Sequence, residues 1–139
     1  MLALCIILAH LVGDYLIQSD WMANEKTKRW WPAIAHGLSY SIPYAVVLVF
    51  IAGFDLPRTL LALLVIGGTH IIIDRYRLAR HLAWFKNQAA PKAYRSHWAD
   101  CKGTGYPADK PPFMAVWLMI IADNTVHLII NAATIYLLA

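Results

Sequence analysis

Four stretches of this chain, each roughly 20 residues long, are apolar enough to cross a bilayer. Three of them carry a histidine and an aspartate four residues apart. The pairs are His10 with Asp14, His70 with Asp74 and, in reversed order, Asp123 with His127. Residues at that spacing share one face of a helix. Ionisable groups are costly in hydrocarbon, and where they occur they mark function. Composition agrees with a membrane setting: 60% of the residues are hydrophobic and 14% charged, whereas about a quarter of a soluble domain is charged. The fold class that follows is all-α, a polytopic membrane protein with four transmembrane helices in one bundle over residues 1–139.

The spans fall at about 1–18, 32–53, 59–78 and 113–139, counted as runs long enough to cross the hydrocarbon. The first lacks the basic n-region and cleavage site of a signal peptide, so it reads as a span. Trp21, Trp30 and Trp31 stand where interfacial aromatics belong. Pro32 suits a first helical turn, Pro43 predicts a kink, and residues 55–58 read as a tight turn. Gly67 and Gly68, just before His70, let another helix come close. Residues 75–111 form a basic connection in which Leu78, Leu82 and Phe85 make an apolar stripe, as in a helix lying along a membrane surface. Cys5 and Cys101 make no disulfide framework.

Charge sets the orientation. Eleven of the twelve Lys and Arg residues lie in the first and third connections, which places those connections in the cytoplasm and both termini outside. Helices one and three then run toward the cytoplasm and helix four away from it. The reversed order of Asp123 and His127 is what an antiparallel helix needs to present matching layers. At about 1.5 Å per residue, Asp14, Asp74, Asp123 and His36 fall roughly 20–26 Å from the outer ends, with His10, His70 and His127 about 6 Å farther from the cytoplasm.

Carboxylates in low dielectric need a partner charge, and a divalent cation supplies it. Imidazole with carboxylate suits zinc first, then manganese or iron. The candidate ligands are His10, Asp14, His36, His70, Asp74, Asp123 and His127. They are enough for two ions, or for one ion with a hydrogen-bonded surround. Asp14, Asp74 and Asp123 are also the candidate catalytic carboxylates. The competing account is a hydrogen-bond ladder or proton relay. Gln18 and Asn131, each one turn from a pair, either contact substrate or join helices. Tyr40, one turn beyond His36, either donates to an oxyanion or packs. Arg75, Arg77 and Arg80 follow the third-helix pair and could hold a phosphate or anionic headgroup; topology alone also accounts for them. His97 and Cys101 have ligand spacing but are only two residues.

These residues resemble a family of small bacterial and phage polytopic membrane proteins of unknown function. The matching pieces are the run from His10 to Gln18, Lys26 or Lys28, His36 with Tyr40, His70 through Asp74, and Asp123 through His127. The family pattern has Phe where Tyr15 stands and Gln where Asn124 stands. The arrangement is also similar to membrane-bound metal-dependent hydrolases of bacterial inner membranes, a likeness of type alone.

The function expected is therefore an inner-membrane metal-dependent hydrolase acting on a lipid or phosphoester near the cytoplasmic face. The alternatives are a metal-ion or proton transporter, which four helices per protomer could form only as a homo-oligomer, and a regulatory membrane protein with a structural metal. Nucleotide, flavin and P-loop signatures are absent from the sequence, and the basic connection matches no nucleic-acid module. The expected partners are membrane lipids.

Overall fold

The computed structural model describes residues 1–139, which form helices, turns and loops with no strand. Two compact units result: residues 1–76 with 127–139, and residues 77–126. In the first unit, α1 (Leu2–Leu11) runs directly into a π-helical turn, Val12–Ile17. Ser19 then caps α2 (Asp20–Glu25), its Oγ accepting the Met22 N–H at 3.3 Å. Such a side chain satisfies a donor that the helix itself leaves orphaned. The helix α3 (Trp30–Val46) has Pro32 in its first turn and Pro43 inside, and ends in a second π-helical turn, Val47–Ile51. The expected turn at 55–58 proves to be the start of α4 (Leu56–Tyr76), with Asp55 Oδ1 accepting the Arg58 N–H at 3.0 Å.

Three helical stretches are long and apolar enough to cross a membrane: Trp30–Ile51, Leu56–Tyr76 and Pro112–Leu138. The first apolar helix, Leu2–Ile17, is shorter. At about 1.5 Å per residue it reaches roughly 24 Å, against a hydrocarbon core of about 30 Å.

Burial is inverted relative to a water-soluble bundle. His10, His36, His70 and His127 are 0–1% exposed, while Phe50 is 77% and Leu64 71% exposed. Contiguous apolar surface of that extent marks contact with lipid or another apolar partner. Beneath it, Ile6, Ala9, Tyr40, Tyr44, Leu48, Ala62, Ile66 and Ile135 form the core of the first unit.

Two close approaches bring the polar residues together. A Cβ on Gly13 would meet Tyr40 Cδ2 at 2.6 Å, so only glycine lets the π-helical turn lie against α3. Gly37 and Gly67 do the same between α3 and α4: a Cβ on Gly37 would collide with Ile71, and one on Gly67 would sit 2.6 Å from Ser41 Oγ. Of the pair expected to ease helix approach, only Gly67 does so, because a Cβ on Gly68 would meet nothing within 4 Å.

The second unit contains α5 (Ala79–Asn87), a 3-10 turn at Lys92–Tyr94, α6 (Trp98–Cys101) and the N-terminal part of α7 (Pro112–Leu138). Ala83, Tyr106 and Ala115 form its small core, with Leu118 against them. Trp84 Nε1 donates to the Ser96 carbonyl at 3.0 Å, and His81 stacks on Trp98. Leu78, Leu82 and Phe85 are exposed, as the expected apolar stripe requires.

The glycine contacts generate a paired prediction. Gly37→Val should destabilise the protein in detergent by about 1–3 kcal/mol, the usual range for overpacking. Gly68→Ala should be neutral or stabilising by about 0.4–1 kcal/mol. Thermal unfolding followed by size-exclusion chromatography separates the two outcomes.

Candidate metal centre

Four elements of the first unit contribute to one buried polar cluster. The π-helical turn carries Asp14, α3 carries His36 and Tyr40, α4 carries His70 and Asp74, and α7 carries His127 and Asn131. His36 Nε2 and His70 Nε2 lie 2.8 Å apart. Asp14 Oδ1 lies 3.2 Å from the first and 3.3 Å from the second. Asp74 Oδ2 lies 3.3 Å from each. The two depth levels expected from the helix positions therefore merge at their side-chain tips.

Asp14 Oδ1 is buried and accepts no aligned hydrogen bond despite these short distances. The two imidazole nitrogens are within hydrogen-bond distance of one another, and Asp14 Oδ1 lies within 3.3 Å of both. Ligands about 2.0–2.1 Å from a tetrahedral ion are separated by roughly 3.3 Å, close to the spacings found. Two groups of three could hold a metal ion: Asp14 with His36 and His70, and His70 with Asp74 and His127. His70 belongs to both, and one ring nitrogen offers one lone pair. The two groups therefore cannot both be filled through His70 Nε2.

The carboxylates differ in their surroundings. Asp74 Oδ2 accepts from Lys26 Nζ at 2.5 Å, and Lys26 Nζ also donates to Gln18 Oε1 at 2.7 Å. The other oxygen, Asp74 Oδ1, faces His127 Nε2 at 3.3 Å. Asp14 has no lysine or arginine among its ion pairs; its second oxygen faces His10 Nε2 at 3.5 Å. Asp14 and the two inner histidines are thus the trio that lacks a fixed cation.

Behind the cluster a relay of hydrogen bonds runs from a backbone carbonyl to His10. Tyr44 donates its only hydroxyl proton to the Ile6 carbonyl at 3.1 Å. Its oxygen must then accept from Asn131, whose Nδ2 donates at 2.7 Å to Tyr44 and at 2.6 Å to Tyr40. The Tyr40 hydroxyl in turn lies 2.8 Å from His10 Nδ1. His10 Nε2 lies 3.5 Å from Asp14 Oδ2, and His10 belongs to neither group of three. The Tyr40 ring meanwhile stacks on His70, 3.7 Å between centroids.

The other expected residues are placed as follows. Asp123 is half-buried in the second unit and belongs to neither metal-competent group. Gln18 holds Lys26, and Asn131 joins two tyrosines. Arg75 donates to the carbonyls of Thr27 and of Lys28, the latter at 3.1 Å, so it fastens the α2–α3 connection. In the second unit Arg77 Nη2 lies 3.9 Å from Met119 Sδ, and Arg80 donates to the Lys102 carbonyl at 3.1 Å. His97 precedes α6 and Cys101 is buried, with no metal-competent group around them. Helical spacing puts Tyr44 on one face with His36 and Tyr40, as α3 has it, but not its bonds to Asn131 and Ile6. The placement of Lys26 escaped spacing, because Lys26 reaches the site only through the path of α2.

A family described as "Protein of unknown function (DUF3307)" matches residues 2–139. The chain belongs to that family. No curated protein matches it, and no solved structure does. The likeness to metal-dependent hydrolases accordingly draws no support from relatives.

Asn131→Leu should destabilise the bundle by about 1–2 kcal/mol, since it strips donors from two buried hydroxyls. Leu137→Ala, at an exposed position, should change stability by less than about 0.5 kcal/mol. Chemical denaturation in mixed micelles measures both.

Proposed function

We propose that this protein is a metal-dependent hydrolase of the bacterial inner membrane, acting on a lipid or phosphoester at headgroup level near the cytoplasmic face. One divalent ion, zinc in the first instance, is held by Asp14, His36 and His70. The observation that carries the reading is the convergence of Asp14 Oδ1 and the two Nε2 atoms at 2.8–3.3 Å, with no hydrogen bond aimed at that oxygen.

Three protein ligands leave a coordination position open, as catalytic rather than structural zinc sites do. An ion there would lower the pKa of a bound water and polarise an ester or phosphoryl oxygen. Asp74 stands across the two histidines and is the carboxylate suited to orient that water. The sharing of His70 favours one ion over a dinuclear centre. Access is favoured at one edge: the side chains of Asp14 and Lys26 are 10% and 18% exposed, while His36 is 0%.

The shared His70 also supports a second reading, metal-ion transport, in which an ion passes between the two groups. The fixed Lys26 ammonium on Asp74 weighs against it, because a cation arriving there would have to displace another.

Elemental analysis of protein purified in detergent tests the proposal. Close to one metal ion per chain is expected, retained through washing and removed by chelator. His70→Ala should carry none, and His81→Ala, in the second unit, should carry the full amount. Asp74→Asn should stay folded and metal-loaded but lose at least about 100-fold in turnover, as expected of a proton-transfer group. Folded, metal-loaded protein that cleaves nothing across a broad lipid and phosphoester panel would overturn the hydrolase reading, and rapid exchange of the ion would favour transport.

A further inference from the structure

We propose that Lys26 binds the anionic group of the ligand beside the metal, and that this group carries a single negative charge of the phosphodiester kind. The inference rests on the metal reading above and adds the class of ligand to it.

Charge balance is the first support. Asp14 and Asp74 bring two negative charges to the cluster, Lys26 one positive charge, and the histidines, as neutral ligands, none. The protein side alone is therefore net negative by one. A divalent ion reverses this to a net positive charge of one, in a setting where Coulomb interactions are weakly screened. A monoanion neutralises the centre, whereas a dianion would leave excess charge buried.

Geometry is the second support. The Lys26 ammonium is separated from the two inner imidazole nitrogens by a single carboxylate oxygen, Asp74 Oδ2, at 2.5 Å on one side and 3.3 Å on the other. A tetrahedral oxyanion offers several acceptor oxygens, and Nζ stands one carboxylate oxygen away from the imidazoles that would hold the ion. An ammonium has three N–H donors. Two are used, on Gln18 and Asp74, and the third is available on the exposed edge of the site, where Lys26 is more open than any histidine of the cluster.

The third support is that the lysine is held in place. Arg75 from α4 grips the carbonyls of Thr27 and Lys28, the two residues that follow it, and the Arg75 guanidinium lies 5.4 Å from the Trp30 ring at the start of α3. Gln18 fixes the ammonium from the end of the π-helical turn. A counter-ion needed only to neutralise Asp74 would not require an arginine to anchor its backbone. Arg75, which follows the third-helix pair in sequence, thus acts on the ligand through Lys26.

Cobalt(II) in place of the native ion gives a visible spectrum that reports both metal and anion. The full chain in detergent is loaded with cobalt and titrated in separate arms with dihexanoyl phosphatidylglycerol, a lipid-headgroup monoanion, and with inorganic phosphate. The wild type should show a saturable shift with the lipid-headgroup monoanion. Response to the lipid alone supports a phosphodiester headgroup, and response to phosphate alone would overturn the monoanion assignment. Lys26→Gln should keep the cobalt spectrum, which shows a folded and loaded site, yet bind the same anion roughly tenfold or more weakly. Lys26→Arg should recover part of the loss. Wild-type anion affinity in cobalt-loaded Lys26→Gln, or no anion response in the wild type, would overturn the assignment and leave the metal reading standing. Failure of the wild type to take up cobalt would overturn the metal reading, and the anion site with it.

Discussion

Two carboxylates, Asp14 and Asp74, sit among apolar helices where water cannot neutralise them. A buried charge without a partner costs several kcal/mol, so the surrounding structure is arranged around supplying partners. Asp74 receives an ammonium from Lys26 and a contact from His127. Asp14 receives only imidazoles. That difference separates the ion pair of Asp74 with Lys26 from the group of Asp14, His36 and His70, which could hold a metal ion.

The rest of the first unit keeps these groups in register. Gly13 lets the π-helical turn lie on α3, and Gly37 with Gly67 lets α3 lie on α4. Larger residues at those points would separate the elements that bring His36 and His70 within 2.8 Å. π-helical turns are often found at functional sites, and the one here carries Asp14. A run of hydrogen bonds joins the Ile6 carbonyl through Tyr44, Asn131 and Tyr40 to His10. The apolar exterior does the complementary task, since Leu38, Phe50, Leu64 and Ile129 face outward and leave the interior to polar groups.

Much of this was legible in the sequence, for a physical reason: helical spacing maps residues four apart onto one face, so His10 with Asp14 and His70 with Asp74 had to be neighbours. The all-helical class and the burial of all four span histidines were legible in the same way. Spacing along one helix could not show that His70 would serve two groups, nor that a tyrosine would lie against His10. Asp123 has the same spacing from His127 but belongs to neither group of three, because helical period constrains neighbours on one helix and not the position of that helix against others. Lys26 was hidden for a related cause. Its reach depends on the Ser19-capped helix α2 and on Arg75 holding the connection, and neither leaves a periodic trace. The first span, expected at about 1–18, is a helix over Leu2–Ile17 whose backbone becomes π-helical at Val12, a change that apolar composition does not mark.

X-ray absorption at the metal edge of the loaded protein tests the central claim most directly. A single ion held by Asp14, His36 and His70 predicts about four light-atom neighbours at roughly 2.0–2.1 Å, with the outer-shell scattering of two imidazoles and no second metal. A metal–metal distance of about 3.5–4 Å, the mark of a two-metal centre, or a shell without imidazole scattering, would contradict it.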